Sequence, residues 1–448
     1  MTFHLDKLSL YLKRNIPLPS HFSKNEENLF NLGIISGLLF YEYIKFILEE
    51  ANKLKLQRVY YFTREGEFFK KIHEQILRYR KSETLVIPYL LESSRLTTFV
   101  ASLSDISLAS MMRLWSMYRS QSVSTMCKSL NINEIEILKD ICYKHELDFN
   151  EKIDSPWLDQ RIIKLFDCSD FKDILHEHII KKRNLLIKYL EEQDINNSTE
   201  KIITSDIGWK GSTQDNLSLI FKNTQFHAYY FGLQPFLNIQ PNNILKKSFL
   251  RSKITKNISE EQALLKFVSP IEMICNSPNG TVIDYQEKED SIIPIKKIID
   301  SENYVYERYT QYFQMGVLEA IPYLVQFENQ NSSYSQQLYL SCFRIAEKLW
   351  MNPPKILAEA YFNLHHDETF GLGEIINKEI KLSIPLLFSC IFQRNFLNNI
   401  ASFLWSSGWA QGLFSYYNLS ILNKLYNLRV FKKSESYSAK VISQDDRF

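Results

Sequence analysis

Ile202-Ile203-Thr204-Ser205-Asp206-Ile207-Gly208-Trp209-Lys210-Gly211-Ser212-Thr213-Gln214-Asp215-Asn216-Leu217 runs from apolar, β-branched residues into an acid, then a glycine-bearing turn. From Gln214 to Phe221 the pattern turns amphipathic, with Leu217, Leu219, Ile220 and Phe221 as its apolar face. The spacing predicts a strand ending at Asp206, a tight turn, and a helix. Such a unit presents the turn's N–H groups and the helix N-terminus to an anion, and glycines let the backbone approach it. The phrase matches neither the GxGxxG fingerprint nor the GxxxxGK[ST] loop. A turn with only a structural role is the competing reading.

A second unit of this kind lies upstream. Arg58-Val59-Tyr60-Tyr61-Phe62-Thr63 is rich in aromatic and β-branched residues and predicts a strand. Arg64-Glu65-Gly66 follows, and then Phe68, Phe69, Ile72 and Ile76 recur at helical spacing. Arg64 and Glu65 are thereby expected at a strand's carboxyl end, where open α/β sheets bind ligands; a solvated ion pair is the alternative. The third unit runs from Leu85 to Leu91 and continues as Glu92-Ser93-Ser94-Arg95. Ser94 is a natural helix N-cap, which puts Arg95 in a first turn. A cation there opposes the helix dipole unless an anion is near.

These runs predict an α/β protein with a Rossmann-like core of mostly parallel strands, a large helical insertion and a helical C-terminal region. The expected boundaries are an N-terminal segment at 1–31, the core's halves at 32–103 and 199–294, an insertion at 104–198, and a C-terminal region with a polar tail at 295–448. Gln225 to Gly232 is expected as a further strand beside the one ending at Asp206. Within the insertion, helical spacing recurs over 106–116, 133–145, 159–166 and 171–192.

Taken together, Phe62-Thr63-Arg64-Glu65-Gly66, Ser94-Arg95 and Asp206-Ile207-Gly208-Trp209-Lys210-Gly211-Ser212 resemble, in this order, the glycan phosphoribosyltransferases of bacterial surface-polysaccharide synthesis. Glu272, Pro278, Gly280 and Tyr285 look like a further segment of that family, although Ser277-Pro278-Asn279-Gly280 could simply close a hairpin, and Trp405 to Gly412 adds a weaker likeness that an aromatic core explains better. The resemblance implies transfer of 5-phosphoribosyl from phosphoribosyl diphosphate to a lipid-linked glycan such as an O-antigen or capsule precursor. A separate phosphatase would then leave ribofuranose. Many relatives carry a haloacid-dehalogenase-type phosphatase in their first half. Here no Asp-x-Asp phrase follows an apolar strand near residue 1, so a stand-alone transferase is expected.

By the same resemblance, and by analogy with classical phosphoribosyltransferases, Asp206 would grip the ribose hydroxyls. The turn Gly208, Trp209, Lys210, Gly211, Ser212, Thr213 with Gln214 would hold the 5-phosphate. Arg64 and Arg95, with Gly66 and Ser94, would meet the diphosphate. Glu65 would act as general base or position magnesium, which Glu65 and Asp206 would share, and Glu272 would contact donor or acceptor. The classical pattern has two adjacent acids before its loop, whereas this chain has Asp206 alone.

Composition bounds the alternatives. The chain has 448 residues, 45% of them hydrophobic and 14% aromatic, enough for a large core. Lys and Arg number 53 against 51 acids, a net charge of +2 that argues against generic nucleic-acid binding. Lys181-Lys182-Arg183 and Lys432-Lys433 are short basic clusters suited to lipid headgroups or to a solvated helix face. The six cysteines show no CxxC or metal-ligand spacing, which suits a reducing cytoplasm. Met1 to Ser20 has no continuous apolar core of the signal-peptide kind, and Ile384 to Phe392 is too short to span a bilayer. The expected location is therefore cytoplasmic, and the lipid-linked acceptor that the resemblance implies would add peripheral contact at the membrane's inner face. His176 and His178 are two apart and His365-His366 adjacent, so neither pair has zinc spacing on a helix. A sugar-nucleotide-dependent glycosyltransferase is the alternative enzyme, although no DxD phrase is evident. A noncatalytic subunit of a polysaccharide assembly machine is the alternative outside catalysis.

Overall fold

Five short runs of residues pair into one all-parallel sheet: β1 Arg58–Phe62, β2 Ile87–Leu91, β3 Lys201–Asp206, β4 Gln225–Tyr230 and β5 Ile244–Ser248. The spatial order is β2-β1-β3-β4-β5. The structure is a computed structural model that describes residues 2–80, 85–116, 118–132, 134–236, 238–330, 335–367, 375–377, 404 and 407–445. In chain order, the helices that position the site are α1 Lys24–Leu54, α2 Glu65–Tyr79, α3 Arg95–Ser102, α4 Ser169–Glu192, α5 Ser212–Ile220, α6 Ser269–Cys275, α7 Gln311–Gln330 and α8 Ser420–Asp445. An antiparallel hairpin, β6 Thr281–Lys288 with β7 Ser291–Lys297, follows α6.

Alternation along the strands feeds two cores, because successive side chains point to opposite faces of a sheet. Val59, Tyr61, Ile203 and Tyr229 enter a large cluster with Phe40 and Tyr43 of α1 and Val317 and Ile321 of α7. Tyr60, Phe62, Ile202 and Phe226 enter another with Leu186, Tyr189 and Leu190 of α4 and Leu217 of α5. With both faces covered, β1, β3 and β4 are buried along nearly their whole length, as strands inside parallel sheets are. Between β2 and β3 the chain builds its own cluster around Leu114, Trp115, Leu138, Leu165 and Phe171. The helices there are Leu108–Trp115, Val123–Ser129, Ile135–Lys144, Gln160–Asp167 and α4. A two-residue antiparallel pairing of Ser120–Gln121 with Ile153–Asp154 joins them, which helical periodicity did not foretell.

Several local expectations meet differences. α1 starts at Lys24 and runs without a break across residues 31 and 32, because Ser23 and Glu26 form a reciprocal capping box. Ahead of it, Thr2–Asn15 is also helical. β5 was not foreseen, since Lys246 and Lys247 interrupt its apolar pattern; it is an edge strand, where charges are tolerated. Ser277-Pro278-Asn279-Gly280 leads into the hairpin, and the hairpin is closed instead by Glu289 and Asp290, with Glu289 at φ 55°. The hairpin also carries β7 across residues 294 and 295. The polar tail continues as helix to Asp445.

Among the described residues only α1 is long and apolar enough to cross a membrane, and it lies inside the protein core. Ile384 to Phe392, Cys390, Trp405 and Ser406 lie outside the described residues.

Candidate functional site

The carboxyl ends of β1, β2 and β3 open onto one cavity of about 670 Å³. Strand order reverses between β1 and β3, which is where parallel sheets leave a crevice for ligands. Arg64, Glu65, Ser94, Arg95, Asp206, Gly208, Trp209, Lys210, Gly211, Ser212, Thr213 and Glu272 all line it. Gly66 and Gln214 do not. Gly66 lies in the first turn of α2, tight against β1: a Cβ there would come within 3.0 Å of the Tyr61 carbonyl carbon. Its smallness serves packing rather than a phosphate. Gln214 is fully buried behind the turn, and its amide helps hold the Asp206 carboxyl down.

The strand ends are fixed by hydroxyl bonds. Tyr43, buried in α1, donates to the Asp206 backbone oxygen at 2.9 Å and pairs with Ser205 Oγ at 2.8 Å. Thr63 Oγ1 donates to the Ser93 carbonyl at 2.9 Å, joining β1 to β2. Tyr285 of β6 donates to the Glu92 carbonyl at 2.9 Å. Ser94 is occupied as the N-cap of α3, its Oγ accepting from Thr97 N–H. It lines the cavity with that oxygen already engaged.

The glycines of the turn are dictated by space. Gly208 has φ 144° and Gly211 has φ 68°, values that side-chain-bearing residues rarely adopt. A Cβ on Gly211 would lie 2.7 Å from Cζ of Tyr230 and 3.1 Å from Cε of Lys246. Gly211 is the N-cap of α5, so the first turn of that helix, Ser212 and Thr213, faces the cavity. Lys246 lies beneath the turn, donating to the Lys210 carbonyl at 2.9 Å and pairing with Asp215 at 2.6 Å. Trp209 is held from both ends. Its carbonyl accepts from Gln234 N–H at 2.7 Å, and its indole Nε1 donates to Glu272 Oε1 at 2.8 Å.

Arg64 is set by its backbone and by its partners. It sits at φ 74°, an uncommon conformation for a non-glycine residue. Its Nε donates to Asn276 Oδ1 at 3.1 Å, and its terminal nitrogens approach Thr281 Oγ1 at 3.5 Å and Glu302 Oε1 at 3.4 Å. A charge so tethered is preorganised.

Charge is distributed in two layers. Burial pushes the Glu65 carboxyl up to about 8; Arg64 pulls the other way, while Glu272 and Asp206 add to the rise. Burial likewise lifts Asp206 to about 7, opposed by the Ile207 N–H, which donates to its Oδ1 at 2.8 Å, and by Gln214 and Arg95. Burial and Arg95 together lower the Lys210 ammonium below its usual range. Arg95, Lys128 and Lys297 are exposed side chains along the same cavity.

Magnesium typically binds through one or two carboxylates plus substrate phosphates and water. Glu65 and Asp206 line the same cavity and supply the carboxylate oxygens such an ion takes. Among the described residues no three acids, histidines or cysteines cluster as a ready-made metal cage.

Sequence reasoning missed Lys128, Asn131, Gln234, Thr281, Lys297 and Glu302, all of which line the cavity. Asn131, from the helices between β2 and β3, donates its amide to the Ile283 carbonyl of β6 at 3.0 Å and so closes one wall. No local pattern marks most of these residues. Thr281 had one indirect signal, since it immediately follows a Ser-Pro-Asn-Gly turn, as did Asn276, which precedes that turn and holds Arg64. His178 is structural: it is buried and its Nε2 contacts the Leu130 carbonyl at 2.9 Å. His365–Asp367 forms a short strand paired with Ile375–Asn377.

No protein-family model matches the chain, and no curated protein matches it significantly.

Proposed function

We propose that the chain is a glycan phosphoribosyltransferase built on a Rossmann-like core, taking phosphoribosyl diphosphate as donor and a lipid-linked surface-polysaccharide precursor as acceptor. One observation carries this reading. A glycine turn with a helix N-terminus, the cations Arg64, Arg95 and Lys210, and the carboxyls of Glu65 and Asp206 share a single cavity. That set matches a ligand with two phosphate groups at opposite ends of a sugar. The sheet order supports the core assignment, because 2-1-3-4-5 is a doubly wound arrangement with its ligand crevice between the first and third strands.

In this reading the N–H groups from Gly208 to Thr213 take the 5-phosphate, and Asp206 accepts hydrogen bonds from the ribose hydroxyls. Arg95 and Lys210 face the diphosphate, and Arg64 meets it from its fixed position. As the C1–O bond to diphosphate breaks, its electron pair leaves with the diphosphate, and these cations stabilise the growing charge. The acceptor hydroxyl oxygen bonds to C1 and its proton passes to Glu65. Once ionised, a carboxyl whose proton affinity burial raises to about 8 is a stronger base than an ordinary one, so turnover should rise as pH approaches 8. Trp209, fixed by Glu272, forms an apolar wall that orients the sugars. In its alternative role Glu65 would hold magnesium with Asp206, and the ion would neutralise the donor's phosphates. A separate phosphatase would remove the 5-phosphate, and the enzyme would work at the inner face of the cytoplasmic membrane.

The test is diphosphate release from phosphoribosyl diphosphate with magnesium and synthetic lipid-linked acceptors, run beside UDP-sugars. Acceptor-dependent release and a product heavier by one phosphoribosyl unit are expected. Turnover of a UDP-sugar instead would make the chain a sugar-nucleotide glycosyltransferase. Binding of neither donor would favour a noncatalytic subunit.

A further inference from the structure

The helix α8 carries apolar side chains on its solvent side as well as on its core side. Its inward side sets the buried asparagines Asn423 and Asn427 beside Tyr426 and Val430, which pack on the core. Asn423 Nδ2 donates to the Met351 carbonyl at 2.7 Å, Asn427 Nδ2 to the same oxygen at 2.9 Å, and Gln411 Nε2 to Asn427 Oδ1 at 3.1 Å. Its outward side is apolar. Ile421, Leu425 and Leu428, at positions i, i+4 and i+7, are 75%, 60% and 68% exposed, with Leu422 beside them at 47%. Surface helices ordinarily turn the apolar stripe inward, and contiguous exposed apolar side chains mark an interaction surface. The asparagine bonds fix which side faces out.

The flanking charges identify the occupant. From Ser420 to Ser434 the sequence carries Lys424, Arg429, Lys432 and Lys433 and no acid, in a chain whose basic and acidic residues otherwise nearly balance. Lys424 and Arg429 are exposed. Tyr416, also exposed, lies just ahead of the helix. A second copy of this chain docked on the stripe would bring like charges together, which is unfavourable. An anionic bilayer surface satisfies every component: leucines enter the acyl boundary, cations meet headgroup phosphates, and tyrosine suits the interface.

We propose that the outward face of α8, centred on Ile421, Leu425 and Leu428 and flanked by Lys424 and Arg429, docks the protein on anionic lipid bilayers. The inference rests on the helix alone and holds whatever reaction the cavity performs.

The test is co-sedimentation of the full-length protein with vesicles of mixed phosphatidylglycerol and phosphatidylcholine, against pure phosphatidylcholine vesicles. Binding to the anionic vesicles is expected, weakened about tenfold or more by Leu425→Gln with Leu428→Gln, and weakened by Lys424→Glu with Arg429→Glu. A Leu428→Trp variant, which keeps the stripe apolar, should gain a fluorescence component quenched by brominated lipid. Failure of the wild-type protein to bind, equal binding to both vesicle types, or unchanged binding by the glutamine pair overturns the proposal. So does a dimer, seen by light scattering, that the glutamine pair converts to monomer.

Discussion

Replacing Glu65 by glutamine should stabilise the protein while removing its turnover. Burial lifts this carboxyl from its ordinary 4.5 to about 8 in the folded state. A raised pKa means that the native state binds the proton more tightly, so the native state is favoured below pH 4.5 and loses that advantage as pH rises toward 8. At about 1.4 kcal/mol per pH unit, the loss is roughly 3 kcal/mol at pH 7 and approaches 5 kcal/mol above pH 8. Glutamine never ionises and avoids it. The attraction to Arg64, whose Nε lies 4.0 Å away, is already contained in that raised value, and at pH 7 the native carboxyl is still mostly protonated, so glutamine forfeits little. The expected net gain is thus about 3 kcal/mol at pH 7, near zero at pH 4.5, and largest above pH 8. Urea unfolding followed by intrinsic fluorescence, with chelator present and buffers at about pH 5, 7 and 8.5, measures the difference. A glutamine variant that is less stable than wild type at all three, or whose advantage shrinks as pH rises, would refute the reasoning. Its transferase rate, measured in parallel, should fall by about a hundredfold or more if Glu65 takes the proton.

Three further outcomes are expected. Asp206→Asn should abolish diphosphate release without lowering the unfolding midpoint, because the carboxyl is already raised to about 7 by burial; near-normal turnover would remove it from the mechanism. Gly211→Ala should cost about 2–4 kcal/mol, combining a left-handed backbone and a collision with the Tyr230 ring, and Tyr230→Phe in the same chain should restore part of that, read by the same urea titration. Trp209→Phe deletes the 2.8 Å bond to Glu272 and should lower kcat/KM about tenfold or more, since a hydrogen bond to a charged group is lost; an unchanged value would mean that the indole only fills space.

The elements nearest the cavity were legible because each is specified within a few residues. Aromatic and β-branched runs mark β1 and β3, Ser94 marks the start of α3, and two glycines mark the turn before α5. Side-chain direction also follows locally, since strand alternation sends Tyr60 and Tyr61 to opposite cores. By itself the sequence therefore determined an α/β chain with a parallel sheet, and three charged phrases at strand ends.

Only the tertiary structure decided that these phrases meet. Strand order brings Glu65 beside Asp206 across more than a hundred residues of intervening chain. It also recruits Asn131 and Lys128 from helices whose own pattern speaks only of a separate apolar core. The partners of Arg64, which are Asn276, Thr281 and Glu302, belong to later segments that no spacing rule connects to it. The same holds for ionisation: a carboxyl's composition is fixed by the chain, but its proton affinity depends on how much water and which charges surround it. Backbone propensity and hydrophobic period act over a turn or a strand, whereas burial and electrostatics act through space, and the candidate site is built from the second kind of information.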